Sequence, residues 1–195
     1  MMDAGRYDSG MTVRPARDTY RHGNLRAEAL KVAYRLVADG GYVALSLRQV
    51  ADETGVAHRS LYNHFKDREA LLDAVATEAY LKLAAIAAKA KTPEDYVARY
   101  IRFALANRAI YALITSRPHG TMKHTPPLQA AAHKVITEAM RIFCADVASS
   151  EERRRTVMKV YIILYGAISL YGAGILDQPS EKALIAEVSA MVGKV

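Results

Sequence analysis

The sequence predicts an all-α protein in which an N-terminal three-helix head precedes a larger helical bundle, with about nine helices in all. Apolar residues recur at i, i+3 and i+4 in almost every segment. No alternating strand pattern and no Asn-Gly hairpin signal interrupts them. At 195 residues, 51% hydrophobic and 24% charged, the chain is long and apolar enough to bury a sizeable core.

The first two helices are marked by their start and stop residues. Asn24 is the predicted N-cap of the first helix, which the residues 39–41 (Asp-Gly-Gly) end. Ser46 opens the second helix, and Gln49 three residues later completes a capping box. Gly55 then ends that helix, so the second helix is short.

Similar signals predict the later helices. A third helix runs from Ala57 or His58 to about Phe65, and Asp67 caps a long fourth helix that continues through Ile86. Thr92 and Pro93 start a fifth helix as cap and first residue. The remaining prediction is a short helix over 109–115, a loop over 116–127, and helices over 128–148, 151–175 and 181–193.

The stretch 160–176 is uncharged but shorter than the roughly 20 residues that usually cross a membrane. Its tyrosines and glycines lower its hydrophobicity, so a buried or subunit-interface helix is favoured over a membrane helix. Charged residues near the start leave no apolar export signal, and Cys144 alone cannot form an internal disulfide. We expect no membrane association and a cytoplasmic location.

Charge and local pattern suggest a nucleic-acid partner. The net charge is +7, but most of the excess lies beyond residue 73, so bulk charge does not locate a site. The informative feature is the turn 54–57, which contains Gly and is flanked by two short helices, as in a helix-turn-helix. Ala57, Leu61 and Phe65 share the inner side of the third helix, whereas the outer side carries polar residues. That outer face either reads DNA or is simply solvated.

The segment 20–75 resembles the TetR family of transcriptional regulators. The family's Leu-Tyr-x-His-Phe motif is present at 61–65, and the Lys-Glu-x-Leu-Leu that usually follows appears at 68–72 with Arg68 in place of Lys. Ala57 stands where the family often has a Ser or Thr cap. The segments 119–127 and 165–174 loosely resemble a subgroup named after a Trp-His-Gly motif.

The resemblance implies a division into a flexible basic arm (1–20), a helix-turn-helix DNA-binding domain (21–73) and a ligand-binding and dimerisation domain (74–195). It also implies roles on double-stranded DNA. Phosphate contacts are expected from Ser46, Arg48, Ser60, Tyr62, His64 and Arg68. Base-edge contacts are expected from His58, Arg59 and Asn63, and minor-groove contacts from Arg14, Arg17 and Arg21. His64 has an alternative, since its position near the core would let it brace the helix.

Metal binding and catalysis find little support. His58 and His64 diverge on a helix and cannot share one ion, while His119 and His124 lack a third ligand nearby in sequence. No Gly-rich phosphate loop, nucleophile elbow or zinc-protease motif occurs. We expect no cofactor, no metal and no enzymatic activity.

Two aromatic stripes could line a ligand cavity or belong to an ordinary core. They consist of Tyr96, Tyr100 and Phe103 in the fifth helix, and Tyr161 and Tyr165 in a late helix. The chain has 12 Tyr and 3 Phe, and buried tyrosine hydroxyls need polar partners, as in a mostly apolar binding pocket. We add His119, Met122 and His124 as possible lid or wall residues.

A second face of the late helix suggests a dimer. Gly166, Leu170 and Ala173 would let a neighbouring backbone approach, and the last helix adds Leu184, Val188 and Met191. The resemblance places dimerisation there.

These expectations describe a homodimeric transcriptional repressor that a small lipophilic effector releases from a palindromic operator. Two alternatives remain open. One is a ligand-independent activator or architectural DNA-binding protein, and the other is a small-molecule carrier without specific DNA binding.

Overall fold

The computed structural model describes residues 25–193, except for the side chain of His119. Every regular element in that range is a helix, which confirms the all-α prediction. The predicted cap Asn24 and the arm with Arg14, Arg17 and Arg21 lie outside the described residues. The helices are α1 (Leu25–Gly40), α2 (Leu47–Thr54), α3 (His58–Tyr62), α4 (Arg68–Ala87), α5 (Pro93–Ala106), α6 (Arg108–Thr115), α7 (His119–Met122), α8 (Pro126–Phe143), α9 (Ser150–Gly172) and α10 (Glu181–Val192).

The predicted caps accept the expected hydrogen bonds, but among the described residues no Gln49 side-chain bond to the Ser46 amide completes the predicted capping box. The Ser46 Oγ accepts a hydrogen bond from the Gln49 amide at 3.1 Å, and an Asp67 carboxylate oxygen accepts one from the Ala70 amide at 2.8 Å. Each side chain thereby satisfies an amide that the first turn of a helix leaves unpaired. Gly55 ends α2 with φ at +67°, a left-handed conformation that favours glycine. Ala57, in contrast, gives α3 no side-chain cap.

Several predicted boundaries were wrong. The α-helix of α3 ends at Tyr62, although the Phe65 amide still bonds the Leu61 carbonyl oxygen and keeps both apolar side chains on the core side. The predicted loop 116–127 contains the single turn α7, so the described residues form ten helices instead of about nine. Its anchor is Met122, which is 2% exposed. The helix α8 starts earlier than predicted, at Pro126, and ends at Phe143 instead of residue 148.

The helix α4 links the two halves of the molecule. It contacts α1 near the head, and it packs against α5, α6 and most extensively α8 in the bundle. Its buried residues include Leu71, Leu72, Val75 and Leu83, which belong to one continuous hydrophobic core. The predicted domain boundary at residue 73 therefore lies inside a helix, and a movement of α4 would be felt in both halves. None of the described helices has the length and apolarity that crossing a membrane requires.

Candidate nucleic-acid interface and ligand cavity

The outer face of α3 is presented to solvent. Leu61 and Phe65 are 0% and 2% exposed and attach the helix to the core, and the Arg26 guanidinium lies 5.3 Å from the centre of the Phe65 ring. Arg59 and Asn63, on the opposite side, are exposed. Their side chains offer the two-point hydrogen bonding that guanine and adenine edges accept in the major groove.

Aromatic residues flank this reading face. Tyr62 is 49% exposed, and its ring meets that of His58 edge to face, with 5.2 Å between centroids. This contact limits the rotamers of both exposed rings and orients them beside Arg59. His64 is exposed as well, which argues against a position near the core from which it would brace the helix. Ser60 is half-buried on the side of the helix.

The N-terminus of α2 supplies a second polar surface. Arg48 is exposed in its first turn, and the half-buried Ser46 keeps its hydroxyl proton available because its oxygen is the acceptor in the capping bond. A helix N-terminus carries partial positive charge and unpaired amides, which favour a phosphate. These two side chains therefore remain suitable for backbone contacts.

Arg68 occupies a different place from the one expected. Its Nε donates to the Leu45 carbonyl oxygen at 2.8 Å, and its Nη2 donates to the carbonyl oxygens of Tyr42 and Val43 at 2.7 and 2.9 Å. Its Nη1 contacts the Glu69 carboxylate at 2.7 Å. This guanidinium holds the α1–α2 loop, and the geometry argues against the predicted phosphate contact.

A cavity of about 450 Å³ lies among α4, α5, α6, α8 and α9. Its volume is within the range of small-molecule sites. Most of its wall is apolar, with contributions from Ile114, Ala132, Val135, Ile136, Met140, Val157 and Met158. Of the predicted ligand residues, Tyr100, Tyr161 and Tyr165 are in the lining.

The other predicted ligand residues lie elsewhere. Tyr96 and Phe103 are 0% and 6% exposed and pack in the core beside the cavity, and Met122, the last residue of α7, is buried. The sequence could not separate these residues from the true lining, because helical spacing identifies an apolar face but does not show whether that face meets the core or a cavity. His124 lines a separate depression between α1 and α4. The side chain of His119 lies outside what the structure describes.

The tyrosine hydroxyls make the cavity polar at a few points. The Tyr80 hydroxyl donates to the Ile114 carbonyl oxygen at 3.1 Å, and the hydroxyl oxygens of Tyr161 and Tyr96 are 3.4 Å apart. The Tyr111 hydroxyl is buried and has no hydrogen-bond partner among the described residues. Burial raises the pKa of Tyr80 and Tyr111 to about 12, so both phenols are neutral donors near pH 7.

Five polar lining residues were missed by sequence reasoning: Tyr80, Tyr111, Thr115, Arg117 and Arg154. The two tyrosines were part of an informative excess of Tyr over Phe, but they occur on helices that carried no other aromatic stripe. The two arginines lie in a predicted loop and near the predicted start of a helix, where no pattern indicates a cavity. Only the packing of α4, α6 and α9 brings all five to one cavity.

Arg117 connects the cavity wall to the head. Its side chain is 13% exposed, and its Nη1 lies 2.7 Å from a Glu69 carboxylate oxygen and 3.2 Å from one of Asp73. Glu69 in turn pairs with Arg68, which holds the loop before α2. A line of charge-assisted hydrogen bonds therefore runs from the cavity, across the first turns of α4, to the loop that precedes Ser46.

The predicted dimer face is only partly available. Leu184 and Val188 are each 1% exposed and pack in the core of their own chain, which argues against their predicted contact with a partner. They lie on the side of α10 that packs against α5 and α9. Leu170, Ala173 and Met191 are exposed, Gly166 is half-buried, and the exposed Ile162 and Ile175 extend this apolar surface.

Two family models match separate parts of the chain. One, described as bacterial regulatory proteins, tetR family, matches residues 29–75. The other, described as a tetracyclin repressor-like C-terminal domain, matches residues 94–191, which is just over half of the chain. The first match contains the head, and the second contains most of the cavity.

Two curated relatives match about a third of the chain or less. The HTH-type transcriptional repressor KstR2 of Rhodococcus jostii is 38% identical over 65 residues, which are 33% of this chain and 32% of that protein. Its namesake in Mycolicibacterium smegmatis is 40% identical over 50 residues, or 26% of this chain and 24% of that protein. The alignments thus span at most about a third of these relatives.

Solved structures match almost the whole chain. A protein of unknown function from Rhodococcus sp. RHA1 has a TM-score of 0.72 and 28% identity, with 91% of this chain and 97% of that chain covered. A TetR transcriptional regulator from the same source has a TM-score of 0.62 and 19% identity, with 87% and 96% covered. The second likeness supports the fold alone.

Proposed function

The chain belongs to the TetR family of bacterial regulatory proteins, and from that premise we propose that it is a homodimeric repressor which a small lipophilic effector releases from a palindromic operator. The observation that carries this proposal is the outward face of α3, where Arg59 and Asn63 are exposed over a buried Leu61 and Phe65. The name of the KstR2 relatives supports repression, through a similarity that covers 33% of this chain or less.

Each head would use two kinds of contact. Arg59, Asn63 and His58 would face base edges, whereas Arg48, Ser46 and the other polar side chains on the flanks would fix the register on phosphates. One such head contacts too little DNA for strong specificity, because a single small module buries only about 600–1,000 Å². A dimer would place two heads in successive major grooves about 34–36 Å apart.

The partner chain would pack on the exposed apolar surface of α9 and α10. Ile162 is 64% exposed and Met191 is 48% exposed, and an apolar patch left open to solvent is typical of a protein–protein interface. A Cβ built on Gly166 would have no neighbour within 4 Å in its own chain, so a second backbone has room to approach. The proposed interface is thus the exposed surface of α9 and α10, and it does not include Leu184 or Val188.

The effector would act by favouring one of two positions of α4. Arg117 belongs to the cavity wall and also to the ion pairs with Glu69 and Asp73. A ligand that moves Arg117 would weaken these pairs and, through Arg68, the hold on the loop before α2. Only a ligand with different affinities for the two states can change operator affinity, and typical couplings of about 1–3 kcal/mol correspond to roughly 5- to 150-fold.

The test is a gel shift and footprint on DNA flanking the gene of this protein, repeated with a panel of lipophilic compounds. We expect one protected palindrome at nanomolar protein concentration and release by at least one compound. A footprint that no compound alters would favour a ligand-independent regulator. Weak binding without sequence preference, together with tight binding of a compound, would favour a small-molecule carrier.

A further inference from the structure

The two charged side chains in the described lining of the cavity are both cationic. Two arginines, Arg117 and Arg154, are in the lining, and no carboxylate is among its described residues. The charge of Arg117 is already paired with Glu69 and Asp73 through Nη1, although its buried Nε has no hydrogen-bond partner among the described residues. The remaining charge available to a ligand is therefore that of Arg154.

Arg154 is the middle residue of three consecutive arginines, and it differs from both neighbours. The Nε of Arg153 donates to the Val147 carbonyl oxygen, and Arg155 forms an ion pair with Glu151 on the same helix. Arg154 has neither an ion pair nor a side-chain hydrogen bond within the described part of the chain, although Glu151 is three residues away. Its position on α9 directs it to the cavity instead, one turn before Met158 and two before Tyr161.

The opening of the cavity combines this cation with exposed apolar surface. Arg154 is exposed, as are Met140 at 37%, Met158 at 47% and Tyr165 at 53%. Exposed members of the lining mark the side on which the cavity opens to solvent. Deeper residues such as Val135 and Ala132 are each 2% exposed, so the interior is apolar. A ligand that fills this site would bury an apolar body inside and leave its polar end beside Arg154.

The buried phenols do not oppose an anionic ligand. Burial raises the pKa of Tyr100 and Tyr161 well above the usual value of 10, so these groups stay uncharged when a ligand enters. The Tyr111 hydroxyl, whose nearest polar neighbour is the Tyr100 phenol, can donate a hydrogen bond if a ligand oxygen approaches it. The site thus offers hydrogen-bond donors and one cation to a ligand rich in oxygen acceptors.

We propose that the effector is a lipophilic acid, whose apolar body fills the cavity and whose carboxylate pairs with Arg154 at the opening. This inference rests on the proposed effector role of the cavity and adds the charge and orientation of the ligand. A carboxylate is favoured over an alcohol by the ion pair, and a cationic amphiphile is disfavoured by repulsion from the same guanidinium.

The experiment compares matched ligands that differ only in charge, by calorimetry on the full-length protein at low salt. The pairs are decanoate with decan-1-ol and 1-naphthylacetate with 2-(1-naphthyl)ethanol, so that both a chain and a ring system are sampled. For at least one pair we expect the acid to bind about fivefold more tightly, the size expected for a partly exposed ion pair. Raising the salt to 0.5 M should reduce this preference, because exposed charges are screened.

Two variants locate the charge. Arg154→Gln should remove the preference for the acid and leave the affinity of the alcohol unchanged. Arg155→Gln is the matched control, since it removes a neighbouring arginine that pairs with Glu151 and does not line the cavity. This control should keep the preference.

The outcomes separate this inference from the function on which it depends. Equal binding of acid and alcohol to the natural protein, or the same loss in both variants, overturns the lipophilic-acid proposal and leaves an effector cavity in place. If neither member of either pair binds, the effector role of the cavity fails together with the inference.

Discussion

The Nε of Arg68 donates a hydrogen bond to the carbonyl oxygen of Leu45 at 2.8 Å, so the first residue of α4 holds the residue just before the cap of α2. The same guanidinium also reaches the carbonyl oxygens of Tyr42 and Val43. These contacts fix where the N-terminus of α2 stands relative to α4. The placement of Ser46 and Arg48 thus depends on the side chain of Arg68, about twenty residues later in the sequence.

Arg68→Gln should lower the free energy of unfolding by about 1–2 kcal/mol, because hydrogen bonds to a charged group are lost from three carbonyl oxygens on a partly exposed loop. Urea unfolding measures this change. Operator affinity should fall as well, with little change in its salt dependence. A salt slope reduced by about 1 with unchanged stability would instead assign Arg68 to a DNA phosphate.

Arg117 and Arg68 keep the pKa of Glu69 below its usual value, mainly through the hydrogen bond from Arg117. A carboxylate whose pKa is lowered by folding stabilises the protein above the usual value of 4.5, and this contribution is lost as the pH falls through the lowered pKa. Since the Glu69 side chain is 59% exposed, the contribution should stay below about 1 kcal/mol. The free energy of unfolding, measured between pH 6 and pH 3, should therefore change less with pH in Glu69→Gln than in the natural protein.

Arg117→Gln should flatten the same acid dependence, and adding Glu69→Gln to it should have little further effect. The reason is that both substitutions remove one shared ion pair, so their effects are not additive. Fully additive effects of the two substitutions on the pH dependence would show that Glu69 is stabilised by Arg68 alone.

Arg59→Ala and Arg48→Ala should weaken DNA binding in two different ways. Loss of a base contact costs about 1–3 kcal/mol on the preferred operator and relaxes the preference at one position. Loss of a phosphate contact weakens binding to all sequences and makes its salt dependence shallower. Competition between operator and random DNA at several salt concentrations measures both effects. Equal changes in the two variants would contradict the assignment.

Gly55→Ala should destabilise the head by about 1–2 kcal/mol. Its φ of +67° lies in the left-handed region, while nothing within 4 Å would touch an added Cβ, so the cost comes from the backbone alone. Gly40→Ala is the matched control, because Gly40 is the last residue of α1, has similar free space and no positive φ. That variant should be unchanged or more stable by up to about 1 kcal/mol in thermal unfolding.

Ile162→Lys should convert the protein to monomers if the exposed surface of α9 and α10 is the dimer interface. A charge without a partner would then be buried between two chains. Sedimentation equilibrium reports the mass, and operator binding should weaken with it, because two heads would no longer bind together. Leu81→Lys is the control, since Leu81 is 38% exposed on α4, outside this surface. A dimer that survives Ile162→Lys would place the interface elsewhere.

The sequence alone determined the features that depend on neighbours along the chain. Helical spacing, the caps at Ser46, Asp67 and Thr92, and the glycine at residue 55 are local, because each involves residues within one or two turns. The two sides of α3 also followed from the positions of Leu61 and Phe65. For the same reason the all-α class and the head could be predicted without any tertiary information.

Only the tertiary structure decided which side of each bundle helix meets the core, the cavity or the surface. Tyr96 and Tyr100 share a helical stripe, yet one packs in the core and the other lines the cavity. The buried position of Leu184 and the hold of Arg68 on the α1–α2 loop likewise depend on residues far away in sequence. Helical periodicity shows that a face is apolar, whereas long-range packing alone decides what that face touches.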